Sequence, residues 1–220
     1  MVESISQPRI PESYFEHRQR FVNSWVDRWS ILPNPFVAAL VPALRSAGVE
    51  LADFSFSNDA ANLGDIFLNI VLRKWNAAIR ITLDSITFMA ANPNWEEAPN
   101  LVSLFDQAAT IVYGVVGAEP SCQESTLWFH VTPGPLDFGK KTAELVRTDA
   151  LGKGGFYGFS VYSADHTTTV DKSLRYEGAA FVRLQRTFPG NTLMADVALH
   201  LYQDEISALH LLGITDVPLG

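Results

Sequence analysis

Apolar and polar residues alternate with a period of two along two long stretches of the chain. Residues 67–89 read FLNIVLRKWNAAIRITLDSITFM, and residues 181–203 read FVRLQRTFPGNTLMADVALHLYQ. Each stretch holds two alternating runs around a short polar or Pro-Gly turn, which is the pattern of a β-hairpin. One further strand-like run precedes each hairpin. The pattern predicts strands at about 49–57, 66–75, 78–90, 125–132, 156–163, 167–173, 177–188 and 192–203.

Other segments repeat their apolar residues every three to four positions, which is typical of helices. The first helix is predicted over about 13–30, where Ser13 and Glu16 have the S-x-x-E spacing of a capping box. In such a box each side chain satisfies a free backbone donor of the first helical turn. The remaining helices are predicted over 33–48, 100–116 and 206–213.

The order of these elements predicts an α+β fold with a mostly antiparallel sheet. Two β-β-β-α-like units are expected at about 49–117 and 125–213, whereas a doubly wound parallel sheet would place a helix between nearly all strands. We expect the units to share one core in a single domain over 13–220, with the N-terminal helices packed on the sheet or projecting from it. Residues 1–12 are predicted to be mobile. Residues 133–153 fit either a loop or a short helix.

Composition and charge exclude several classes of partner. Hydrophobic residues make up 47% of the 220 residues and the net charge is −8, so a folded acidic chain is expected. Nucleic-acid binding requires Lys and Arg to neutralise phosphates, and these number 16 against 24 acids. We therefore expect no nucleic acid and no anionic membrane as partner. No apolar stretch reaches the ~20 residues of a membrane span, and no signal peptide is seen, so a soluble, cytoplasmic protein is predicted.

The predicted N-terminal helix carries a candidate interface. At helical spacing Phe21, Trp25 and Trp29 share one stripe, with Arg18 and Arg28 beside it. Tryptophan and arginine are enriched among the residues that anchor protein interfaces. This stripe predicts a partner-binding or dimerisation helix. The alternative is a helix that docks on its own domain, with arginine stems covering the tryptophans.

A polar groove between the two hairpins is the candidate for catalysis. Asp196 and His200 share a face of the predicted strand 192–203, although four residues at ~3.3 Å each would separate them by roughly 13 Å. Arg80 and Asp84 share a face of the predicted strand 78–90. If the hairpins lie side by side, these four residues gather across strands. The other interpretation is the solvated outer face of an antiparallel sheet.

No motif of known chemical specificity occurs in the chain. The five histidines and single cysteine have no metal-ligand spacing, and LGKGGFYG at 151–158 lacks the order of a phosphate-binding loop, so neither a metal nor a cofactor is predicted. The leading hypothesis is a non-catalytic binding or assembly protein that acts through protein–protein contacts, as a homo-oligomer or a complex subunit. The alternative is a small-molecule hydrolase or isomerase, and a small-molecule ligand is left open.

Overall fold

A computed structural model describes residues 8–23, 33–58, 66–117, 119–132 and 158–215. The α-helices among them are α1 (Pro33–Leu44), α2 (Ala98–Val116) and α3 (Met194–Leu211). The strands are β1 (Arg9–Phe21), β2 (Phe54–Asn58), β3 (Ile66–Leu72), β4 (Ala77–Thr82), β5 (Ser85–Ala91), β6 (Pro120–Thr132), β7 (Phe159–Tyr162), β8 (His166–Lys172) and β9 (Ala180–Pro189).

The nine strands form one antiparallel sheet in the order β2-β3-β4-β5-β1-β6-β9-β8-β7. At its centre β1 pairs with β6, so that Phe15 lies opposite Leu127 and His17 opposite Ser125. Strands β2 to β5 precede α2 in the chain, and β7 to β9 precede α3. The predicted α+β fold with a mostly antiparallel sheet is therefore confirmed.

The core lies between one face of this sheet and the helices. Because strand residues alternate between faces, every second side chain of β1, β5, β6 and β9 points toward the helical layer. Phe88 of β5 contacts Phe105 of α2 at 4.3 Å between ring centroids. Both rings are buried, as are Phe129 and Val182 on the neighbouring strands. Helix α1 packs on α2, α2 packs on α3, and α3 packs on β9.

The predicted first hairpin is present, with one additional turn. Its first turn lies at Trp75-Asn76, where Asn76 has a left-handed backbone with φ of 49°. The next predicted strand, 78–90, is divided into β4 and β5 by a turn at Leu83-Asp84. The first stretch therefore contains three strands, one more than the apolar alternation indicated.

The predicted helix over 13–30 is wrong for its first half, because residues up to Phe21 form β1. The inward positions of this strand are occupied by Phe15, His17, Gln19 and Phe21, all of which are buried. Two of these four side chains are polar, so the sequence shows no clear apolar alternation. Strand β1 also includes the last residues of the segment predicted to be mobile.

The predicted strand over 192–203 is also wrong, because this segment begins α3. The buried side chains of α3 recur every three to four residues, whereas Leu193 and Leu199, which completed the apparent alternation, are exposed. Because the charged residue Glu205 occupies a buried position, the sequence of this helix lacks a continuous apolar stripe. The second stretch is therefore a strand followed by a helix. The buried residues of α3 are Met194, Val197, Leu201, Glu205, Ala208 and Leu209.

Candidate functional site

The two described residues of the predicted interface stripe do not share one surface. Arg18 and Phe21 differ by an odd number of positions on β1, so their side chains lie on opposite faces of the sheet. Phe21 is buried beneath the helices, where its ring meets Tyr113 edge-on. The other predicted interface residues, Trp25, Arg28 and Trp29, lie outside the described residues.

The four residues of the predicted catalytic groove do not gather. Asp196 and His200 are exposed on α3, which covers one face of the sheet. In a helix residues four apart have Cβ atoms roughly 5–6 Å from each other, so the separation inferred for a strand is also wrong. Arg80 of β4 points to the opposite face, because its neighbours Ile79 and Ile81 are buried under the helices.

Asp84, the fourth of these residues, is bound within the β4–β5 turn. The Arg18 guanidinium lies 3.3 Å from its carboxylate, and the hydroxyl groups of Thr82 and Ser85 donate to it at 2.8 and 2.9 Å. Partial burial disfavours the ionised form, but the hydrogen bonds and the arginine outweigh it and lower the pKa of Asp84. This carboxylate stabilises a turn and has no geometry for catalysis with α3.

A buried polar network that the sequence analysis missed joins β1, β6 and α2. The hydroxyl of Tyr113 donates to Oε1 of Gln19, and Nε2 of Gln19 lies 3.2 Å from Nε2 of His17. With Gln19 donating, the proton of the imidazole is on Nδ1, which lies 2.7 Å from Oγ of Ser125. Histidine therefore donates to serine, the reverse of what a nucleophilic serine needs.

Burial also argues against a catalytic role for this pair. His17 is 0% exposed and Ser125 is 2% exposed, so no substrate reaches the hydroxyl. Burial lowers the pKa of His17 to about 4, which keeps the imidazole neutral. The network holds the two central strands in register, because a one-residue slip would leave these polar groups without partners in the core.

The second face of the sheet, here called the helix-free face, is not covered by any helix of the described residues. Strand register places its side chains in rows that run across the sheet. The most aromatic row runs through Ala91, Tyr14, Trp128, Arg183 and Thr169. The adjacent row runs through Met89, Glu16, Thr126, Gln185 and Thr167.

An aromatic cluster occupies one half of the helix-free face. Tyr14 stacks on Trp128 with 5.5 Å between ring centroids, and Trp128 lies 6.1 Å from Phe181. His130 continues the cluster, at 5.2 Å from Phe181 and 5.1 Å from Tyr176. Burial in this cluster lowers the pKa of His130. These five residues define the aromatic cluster, in which His130 is buried and the other four are half-buried.

Charged groups of both signs surround the aromatic cluster. Within the part of the chain that the structure describes, Arg80 and Arg183 on this face form no ion pair. Arg80 lies over the ring of Phe67 at 4.6 Å. The ion pairs near the cluster are Arg18–Asp84 at 3.3 Å, Arg20–Glu124 at 3.5 Å and Arg175–Glu12 at 2.5 Å.

The described residues contain no group of three or more His, Cys, Asp or Glu side chains that could hold a metal ion. None of the helices described is long and apolar enough to cross a membrane.

Comparisons with known proteins identify no family for this chain. No family model matches it, and no curated protein matches it. Among solved structures, a TBP from Methanococcus jannaschii is similar over 92% of this chain and 99% of its own, with 11% sequence identity and a TM-score of 0.30. At that TM-score the likeness assigns neither a family nor a function to this chain. The predicted exclusion of nucleic acid conflicts with this match to a TBP, a DNA-binding protein, and is withdrawn.

Proposed function

We propose that the chain is a non-catalytic assembly protein whose helix-free face binds a second copy of itself. The observation that carries this proposal is the aromatic cluster on a sheet face that no described helix covers. Half-buried Trp128 lies at its centre, with Tyr14 and Phe181 on either side. An aromatic centre with a polar rim is the usual anatomy of a protein interface.

The size of the helix-free face suits a dimer. Strands spaced ~4.8 Å apart, with about six residues each at ~3.3 Å, outline an area of roughly 850 Å² over nine strands. A standard stable interface buries ≈ 800 Å² on each partner. Two such sheets pack face to face with the aromatic side chains between them, as in a β-sandwich.

The charges favour a second copy as the occupant. A two-fold symmetric contact uses the same patch twice, so each cation of the patch must meet an anion of the same patch on the other copy. The helix-free face provides both signs, with Arg80 and Arg183 available beside Glu16. A face of one charge sign would instead repel its copy.

The test is the mass in solution of the wild type and of three variants, measured by light scattering after size-exclusion chromatography. The wild type is expected at twice the 24.3 kDa of one chain. Trp128→Ala and Arg183→Glu, on the helix-free face, are expected to shift the mass toward one chain. Arg45→Glu makes the same charge change on an exposed residue after α1 and should leave the dimer intact.

Thermal melting of each variant separates loss of the interface from loss of the fold. A wild type that is monomeric at the highest soluble concentration overturns the proposal. So does an unchanged dimer in the folded Trp128→Ala and Arg183→Glu variants. Salt-dependent retention of the wild type on DNA or RNA that Arg183→Glu abolishes would assign the face to a phosphate ligand instead, and the dimer would be rejected.

A further inference from the structure

Three neighbouring spaces meet at Trp95, where the loop after β5 enters α2. The innermost is an apolar void of about 40 Å³ between α2, α3 and the sheet, lined by Phe105, Leu127 and Leu201 among others. A groove of about 330 Å³ leads outward past Ser13 and Glu205. Trp95 lines both, together with a shallower surface groove of about 520 Å³ between the two helices.

A buried carboxyl group faces the outward groove. Glu205 is 4% exposed and occupies an otherwise apolar stripe of α3. Nε1 of Trp95 donates to its Oε2 at 2.7 Å. Among the described residues no Lys, Arg or His forms an ion pair with Glu205. Asp204, the residue before it, is bound bidentately by Arg186 at 2.7 and 2.8 Å.

Trp95 is the aromatic wall of the groove around this carboxyl group, and its N–H edge meets the carboxylate. Tyr202 meets Trp95 edge-on at 5.4 Å between centroids and lines the neighbouring surface groove. An apolar wall beside a single placed polar group is typical of small-molecule sites. At the rim, Asn92 has a left-handed backbone with φ of 51°, and its Oδ1 accepts the amide of Ser13 at 2.8 Å.

We propose that this groove binds a small organic ammonium ion, with the ammonium on Glu205 and the apolar body of the ligand against Trp95. The occupant follows from charge complementarity, since a buried carboxylate needs a cation and the described residues supply none. The volume of the outward groove fits a ligand of a single ring or a short aliphatic chain. This site is on the helical side of the sheet, so the inference does not depend on the proposed dimer.

The electrostatics of Glu205 agree with this geometry. Burial raises the pKa of the Glu205 carboxyl to about 7, and the hydrogen bond from Trp95 only partly opposes the shift. Because this carboxyl group ionises near neutral pH, it can bind a cation as a carboxylate. In the absence of the cation it can remain neutral and needs no buried counterion. The neighbouring acidic groups are not candidates for this site, because Asp204 pairs with Arg186 and because Glu96 and Glu97 are exposed.

The experiment is calorimetric titration of the purified protein at mildly alkaline pH, with benzylamine as the probe. Benzyl alcohol serves as the uncharged probe of the same shape. Benzylamine is expected to bind and to change the fluorescence of Trp95, and benzyl alcohol to bind about tenfold or more weakly, because hydrogen bonds to charged groups are the stronger ones. Glu205→Gln is expected to weaken benzylamine binding by about tenfold or more while leaving benzyl alcohol unaffected.

Glu97→Gln, which removes an exposed carboxylate at the start of α2, two residues after Trp95, is the matched control and should leave both titrations unchanged. The proposal is overturned if benzylamine does not bind the wild type, or if it binds the folded Glu205→Gln variant equally well. Equal affinities for benzylamine and benzyl alcohol would also overturn it, since the groove would then be a neutral apolar site.

Discussion

Glu205 gives the sharpest test of how burial of an acidic group affects the stability of this protein. Substitution by glutamine removes the charge and keeps the shape of the side chain. The ordinary pKa of a glutamate, 4.5, is raised to about 7 in the folded chain by burial. The difference of about 2.5 pH units corresponds to about 3 kcal/mol of folding free energy at ~1.36 kcal/mol per unit. Glutamine retains an oxygen that accepts the hydrogen bond from Nε1 of Trp95.

The sign of the effect follows from where the proton is held. Between pH 4.5 and about 7 the unfolded chain has lost the Glu205 proton while the folded chain keeps it. The folded state therefore binds more protons, and the free energy of unfolding falls as pH rises through this window. The full cost is reached above the folded pKa, where the carboxylate is ionised in the core.

The measurement is urea unfolding of the wild type and of Glu205→Gln at a series of pH values from 4 to about 8. At the acidic end the two proteins should have nearly equal free energies of unfolding. At the alkaline end the variant should be more stable by about 3 kcal/mol, which for a chain of this size is a melting temperature higher by roughly 6–12 °C. The difference between the two proteins cancels the titration of all other groups.

Glu97→Gln removes one exposed negative charge and is the control; it should not gain the ~3 kcal/mol of stability at alkaline pH that is expected of Glu205→Gln. A pH-independent difference for Glu205→Gln would refute the argument, because it would mean that the carboxyl titrates alike in both states. A variant that becomes less stable than the wild type as pH rises would refute it more strongly. That result requires Glu205 to be ionised and paired with a cation in the folded state.

Further predictions concern the core and its polar groups. Because burial lowers the pKa of His17 from 6.5 to about 4, the wild type should lose about 3 kcal/mol relative to His17→Gln as pH falls through that window, by urea unfolding. Arg186→Ala leaves the partly buried Asp204 carboxylate without its bidentate partner and should cost about 1–3 kcal/mol, whereas equal stability would show that Asp204 is solvated. Phe105→Ala, at a site that is 1% exposed, should lower the free energy of unfolding by about 3–5 kcal/mol in the same assay.

Elements whose inward positions are all apolar could be predicted from the sequence. The first hairpin and α2 have a regular apolar period, which distinguishes a strand from a helix. β1 and α3 were assigned to the wrong class because each has a polar residue at a buried position. His17 and Gln19 interrupt the alternation of β1, and Glu205 interrupts the stripe of α3.

The candidate sites could not be predicted because they join residues distant in the chain. Trp128 and Tyr14 become neighbours only through the pairing of β6 with β1, and Trp95 meets Glu205 only where α2 packs on α3. Once β1 is recognised as a strand, its even-numbered positions place Tyr14, Glu16 and Arg18 on the helix-free face. No comparable local signal marks the groove at Glu205.

The sequence by itself determined the class of this protein: an acidic α+β chain with a mostly antiparallel sheet, because the spacing of apolar residues is a local property. Only the tertiary structure decided that the first and sixth strands pair at the centre of the sheet and that the helices cover one of its faces. The strand order and the placement of the helices depend on which buried polar groups can form hydrogen bonds with each other across the core. His17 with Ser125 and Trp95 with Glu205 are such partners, separated by 108 and 110 positions.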